Sequence, residues 1–67
     1  MKSDTFYRGI TYEVTIKNAE DGQWVWTTNV VVNGKEFSEH GIASKETFAR
    51  GSARISAEKR IDEQIPK

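Results

Sequence analysis

The chain has 67 residues, ten of them basic and ten acidic for a formal net charge of zero, and no cysteine. A chain this short fills one core and buries roughly 60% of its unfolded surface, while the missing cysteines exclude a disulfide scaffold and a thiolate zinc site. Residues 1–4 are polar and unlike a signal peptide, and no run approaches the roughly 18 apolar residues of a membrane helix. The expectation is one soluble, cytoplasmic domain over residues 1–67 that makes no membrane contact.

Residues 1–5 read as a frayed start. From Arg8 the stretch RGITYEVTIK alternates with period two, placing Ile10, Tyr12, Val14 and Ile16 on one side and Thr11, Glu13, Thr15 and Lys17 on the other. A strand over residues 8–17 follows. Next, Asn18-Ala19-Glu20-Asp21-Gly22 is polar and rich in turn formers, which makes it a hairpin loop. Its adjacent carboxylates, Glu20 and Asp21, read as turn chemistry at an exposed tip rather than as a metal or acid–base pair.

Strands over residues 23–32 and 35–41 meet at Asn33-Gly34, the dipeptide best suited to a two-residue type I′ turn, because both central residues must take positive φ. Counting from that turn pairs Val32 with Lys35, Val30 with Phe37, Asn29 with Ser38, Thr28 with Glu39 and Thr27 with His40. One face then carries Trp24, Trp26, Val30 and Phe37. The other carries Thr27, Asn29, Ser38 and His40, together with Val25 and Val31. The two tryptophans read as core rather than as a stacking platform, since they share a face with Val30 and Phe37.

Ser44 is a good helix N-cap, and Glu46 in the first turn complements the helix dipole. A helix over residues 45–64 follows, with Pro66 as its stop. Phe48, Gly51, Ser52 and Ile55 stand at helical spacing as a narrow stripe to lie on the sheet over the tryptophans. Ala49, Ala53, Ala57 and Ile61 continue on a neighbouring flank. The charged end of this helix leaves two readings open for Ile61 and Ile65: they belong to a fraying terminus, or they meet a partner subunit. The fold expected is α+β, a three-stranded antiparallel meander covered on one face by one C-terminal helix, in the order βββα.

The pattern YRGITYEV, DGQWVW, NGKEF and SKETFARGSARISAEKRID, over residues 7–62, is similar to small bacterial βββα proteins of unknown function. The resemblance implies a fold and a bacterial origin. The order Gly-x-Trp, strand, Asn-Gly-Lys, strand, Gly and Ser-capped helix also resembles the arm-type DNA-binding domain of tyrosine recombinases. That likeness implies a sheet face carrying Thr11, Glu13, Thr15, Thr27, Asn29, Glu36, Ser38 and His40 against DNA.

Function classes divide on charge and motif. A phosphate-binding protein normally carries a basic excess, and here the net charge is zero with Glu13 and Glu36 on the face in question, so nucleic acid is disfavoured as a partner. No P-loop, dinucleotide fingerprint, metal-binding histidine pair or nucleophile elbow is present. His40, the one histidine, has no second ligand of its kind and reads as an exposed strand residue. No catalytic residue, metal or cofactor is expected. The leading expectation is a non-enzymatic module that binds a protein partner or a second copy of itself. Its tentative interaction face is Thr27, Asn29, Ser38 and His40, with Tyr7, Val25, Val31, Ile61 and Ile65 as apolar residues left over from the core. The alternative is nucleic-acid binding through the same face.

Overall fold

The computed structural model describes residues 2–65, with side chains from Asp4 onward. Four strands and a helix follow one another: β1 (Lys2–Tyr7), β2 (Ile10–Asn18), β3 (Trp24–Val32), β4 (Lys35–Ala43) and α1 (Glu46–Gln64). The strands form one antiparallel meander in the order β1-β2-β3-β4. The α+β class and the C-terminal helix are as expected, but the sheet has four strands, not three.

The additional strand, β1, occupies the segment expected to be frayed. It pairs with β2 from Lys2 opposite Thr15 to Tyr7 opposite Ile10, so Arg8 and Gly9 are not the start of a strand but a two-residue turn, with φ of 51° and 81°. A left-handed arginine costs steric energy that asparagine largely avoids. Here it also aims the guanidinium at the helix, where Nη1 lies 2.8 Å from Asp62 Oδ1. The Asn33-Gly34 turn has φ of 54° and 76°, and the β3–β4 register runs as the turn dictates, from Val32 opposite Lys35 to Thr27 opposite His40. It then continues through Gly41 opposite Trp26 to Ala43 opposite Trp24, two residues beyond the expected strand end. In the β2–β3 loop, Gly22 takes φ 76° and its amide donates to Ala19 O at 3.2 Å, leaving Glu20 and Asp21 exposed at the tip.

A 19-residue helix is about 28 Å long and a nine-residue strand about 30 Å, so α1 spans the sheet from end to end. It leaves the end of β4, beside the tryptophans, and finishes over the Asn33 turn, where Asn33 Nδ2 donates to Gln64 O at 3.3 Å. The residues it buries are Ala49, Ala53, Ala57 and Ile61, packed on Tyr12, Val14, Ile16, Val30 and Val32. The stripe expected to face the sheet points outward instead, with Phe48 57% and Ile55 69% exposed. Gly51 marks no close approach, since a Cβ there would meet nothing within 4 Å. The reason is size: a row of alanines lets the helix axis settle close on a sheet already filled by Tyr12 and the tryptophans, and a phenylalanine in that row would hold it off.

Trp24 and Trp26 do lie on the covered face, but half-buried at the margin of the core, near the start of the helix. The central positions belong to Tyr12, Val30 and Ile61. Ile61 is fully buried and Ile65 packs against the core, so neither is left over for a partner, and the Ile65 amide closes the helix by donating to Ile61 O at 2.9 Å. At the other end the cap position is Lys45, extended and without a side-chain cap bond, rather than Ser44. The expected stop, Pro66, lies outside the described residues.

Candidate functional site

The antiparallel register places Thr27 directly opposite His40 and Asn29 directly opposite Ser38, so the four residues singled out from sequence form one patch on the sheet face away from α1. Thr27, Ser38 and His40 are exposed and Asn29 is half-buried. The side-chain oxygen of Asn29 is buried with no hydrogen-bond partner among the described residues. β2 extends the patch with Glu13 opposite Asn29 and Thr15 opposite Thr27. β1 adds Asp4 opposite Glu13 and Phe6 opposite Thr11.

The face is apolar at both ends of the strands and polar across the middle. At one end stand Phe6, 70% exposed, and Val31, 55% exposed, with Glu36 opposite Val31. At the other, Val25 pairs with Ile42, which is 64% exposed, and with Lys17. Charge follows the same axis: Asp4, Glu13 and Glu36 lie in the half with Phe6 and Val31, whereas Lys17 lies beside Val25. Sequence reading found the polar centre but missed Phe6 and Ile42. Phe6 sits in the unrecognised strand β1, and Ile42 follows a glycine taken as the end of β4.

Tyr7, expected among the leftover apolar residues, is committed elsewhere. Its hydroxyl donates to the Asp62 carboxylate at 3.0 and 3.1 Å, beside the Arg8 contact, and this bond pushes its phenol pKa above the ordinary value. The hairpin β1–β2 is thereby tied to the last turns of α1. A similar tie joins Tyr12 to Glu58 at 3.3 Å, and Glu58 in turn accepts from Arg54 Nε at 2.9 Å. Burial, and then the Glu58 charge, raises the Tyr12 pKa.

On the covered face the edge strand β4 carries Glu39. Ser56 donates to its Oε1, and Arg60 reaches Oε2 with Nη2 at 2.6 Å and Nε at 2.9 Å. These two partners, the serine first, hold the Glu39 carboxyl below the usual carboxylate range. Arg60 also stacks 5.2 Å above the Phe37 ring and pairs with Glu63 at 3.1 Å. A shallow groove of about 390 Å³ runs beside this cluster, lined by Glu39 together with Ser52, Ile55, Ser56, Lys59 and Arg60. Every polar atom named in the cluster is satisfied by a neighbour, so its chemistry is structural: an inward charge on an edge strand, which discourages edge-to-edge pairing, held by two helix side chains. The alternation that put Thr28 on the covered face put Glu39 there too, and that was the available signal.

Among the described residues no three histidine, cysteine, aspartate or glutamate side chains stand close enough together to hold a metal ion, and no helix is long and apolar enough to cross a membrane. In comparisons with protein-family models, with curated proteins and with solved structures, the chain matches none.

Proposed function

We propose that this protein is a non-enzymatic interaction module that binds another protein through the uncovered face of its sheet. One observation carries the reading. Phe6, Val31 and Ile42 are 70%, 55% and 64% exposed on a single face while α1 occupies the other. Scattered apolar residues on a surface need no explanation, but three on one sheet face around a row of short polar side chains match the composition of protein interfaces. The non-enzymatic reading rests on a sequence without a nucleophile motif or a histidine pair and on a groove in which Ser56 and Arg60 both bind the Glu39 carboxylate. The cysteine-free chain suits the reducing cytoplasm as its compartment.

Binding of nucleic acid through the same face is the rival. Against it stand Asp4, Glu13 and Glu36, whose carboxylates would meet phosphates where groove-binding proteins place Lys and Arg. A photo-cross-linker at Ser38, exposed and central, tests the two readings in cells expressing the full chain. Protein adducts that disappear with Ile42→Glu support the proposal; adducts to nucleic acid, or amide shifts at Thr27, Asn29, Ser38 and His40 on adding oligonucleotides at low salt, overturn it.

A further inference from the structure

The turn that sets the β3–β4 register is built from a chemically labile pair. Asn33 and Gly34 are both exposed, and glycine puts no β carbon between its own backbone nitrogen and the side chain that precedes it. From this we infer that Asn33 is a site of spontaneous covalent modification, a deamidation that needs no enzyme and that releases the end of α1 from the sheet. The inference stands apart from the interaction-module reading above.

The step balances with water alone. The Gly34 backbone nitrogen gives up its proton and bonds to Asn33 Cγ, while the Cγ–Nδ2 bond breaks and ammonia leaves with that proton, closing a succinimide ring. Water then opens the ring, giving aspartate where the bond from nitrogen to Cγ breaks and isoaspartate where the bond from nitrogen to the main-chain carbonyl carbon breaks. Nothing is oxidised or reduced. Either product carries a new carboxylate, ionised at neutral pH. The other asparagines, Asn18 and Asn29, lie in strands and precede Ala19 and Val30, whose β carbons hinder the same attack. The exposed Asp21-Gly22 pair can close a similar ring by losing water, but that adds no charge.

Two features of the fold hold the reaction back. A type I′ turn sets ψ of its first central residue at roughly 30°, which keeps the Gly34 nitrogen away from the Asn33 side chain, so ring closure waits for the turn to open. The helix holds the leaving group itself, since Asn33 Nδ2 donates to Gln64 O at 3.3 Å. The product loses that bond. A carboxylate has no proton to donate to Gln64 O, and it stands against the carbonyls of a helix C-terminus, where the dipole is negative. The last turn of α1 has no basic residue to offset it and already carries Asp62 and Glu63. In isoaspartate the main chain also runs through the former side chain, a lengthening for which a two-residue turn has no place. Ile65, packed against the core directly after Gln64, is the apolar contact this loosens.

Incubation of the full chain in warm, mildly alkaline buffer tests the inference, followed by peptide mapping with fragmentation that separates isoaspartate from aspartate. The expected result is acid at position 33 well before any at Asn18 or Asn29, formed faster when the chain is unfolded in urea. Amide exchange reads the consequence. The Ile65 N–H, which donates to Ile61 O at 2.9 Å, should exchange about fivefold faster in the converted chain, the equivalent of one lost hydrogen bond, while the β2–β3 pairing stays protected. Asn33→Asp tolerates the same turn and should reproduce the part of this effect that comes from charge. Asn33 intact while Asn18 or Asn29 converts, equal rates in the folded and unfolded chain, or Ile65 exchange unchanged in both the converted chain and Asn33→Asp would each overturn it.

Discussion

Gly41 lies directly opposite Trp26 in the β3–β4 pairing, and the indole fills the space a side chain at 41 would take: a Cβ there would stand 2.5 Å from Trp26 Cζ2 and 2.7 Å from Nε1. The glycine is needed for close approach of an aromatic ring, not for its backbone angles. Gly41→Ala therefore forces the indole off its seat, and the expected cost is about 1–3 kcal/mol, the range for overpacking. Urea unfolding followed by tryptophan fluorescence reads both the lost stability and a shifted folded-state emission.

The other glycine on the helix side behaves oppositely. Gly51 lies inside α1 with open space around its missing Cβ, so Gly51→Ala gains helix propensity without a clash and should stabilise the domain by about 0.5–1 kcal/mol. Two positions further on, Ala53 is fully buried against the sheet, and Ala53→Leu should destabilise by about 1–3 kcal/mol as the helix is pushed away. Thermal melts of the two variants would separate this helix rotation from one with Gly51 against the sheet, which reverses both signs.

Glu39 makes stability depend on acid. Its carboxyl pKa is lowered in the folded state by Ser56 and then Arg60. A group depressed on folding contributes its full stabilisation above the unfolded-state pKa and loses it as pH falls through the folded-state value. Acid should accordingly lower the melting temperature of the parent chain more steeply than that of Glu39→Gln below the ordinary glutamate range, with a smaller difference between their slopes near neutral pH.

The Tyr7 hydroxyl and Arg8 both bind Asp62, which makes the helix C-terminal turns the anchor of the edge strand β1. Asp62→Ala should raise amide exchange in β1 while leaving β3 protected, because β3 is held on both sides by other strands and by α1. Equal loss of protection in both strands would show that the tie is not local. The raised Tyr7 pKa predicts a matching loss at high pH: its stabilisation is complete below the unfolded-state tyrosine value and vanishes as the phenol ionises, an effect absent in Tyr7→Phe.

Legibility in the sequence followed how local each cause was. The β3–β4 register, the sidedness of β2 and the patch of Thr27, Asn29, Ser38 and His40 all follow from Asn33-Gly34 and from period-two alternation, which involve residues near one another in the chain. The β1–β2 hairpin escaped because its turn is Arg8-Gly9, and arginine carries none of asparagine's preference for positive φ. Without that strand, Phe6 could not be placed on the open face, and the apolar end of the candidate surface was only half visible.

The sequence by itself determined the class of the domain, the hairpin register and the two-sided character of the sheet, because turn chemistry and alternation act within a few residues. Only the tertiary structure decided which side of α1 meets the sheet. Two stripes competed, Phe48–Gly51–Ser52–Ile55 and Ala49–Ala53–Ala57–Ile61, and the first carries the bulkier apolar side chains. Packing chose the second, since the sheet brings its own bulk in Tyr12, Val14 and Val30 and leaves room only for methyl groups until Ile61 fills the far end. That choice turned Phe48 and Ile55 outward, and it left the opposite sheet face as the surface on which the proposed function rests.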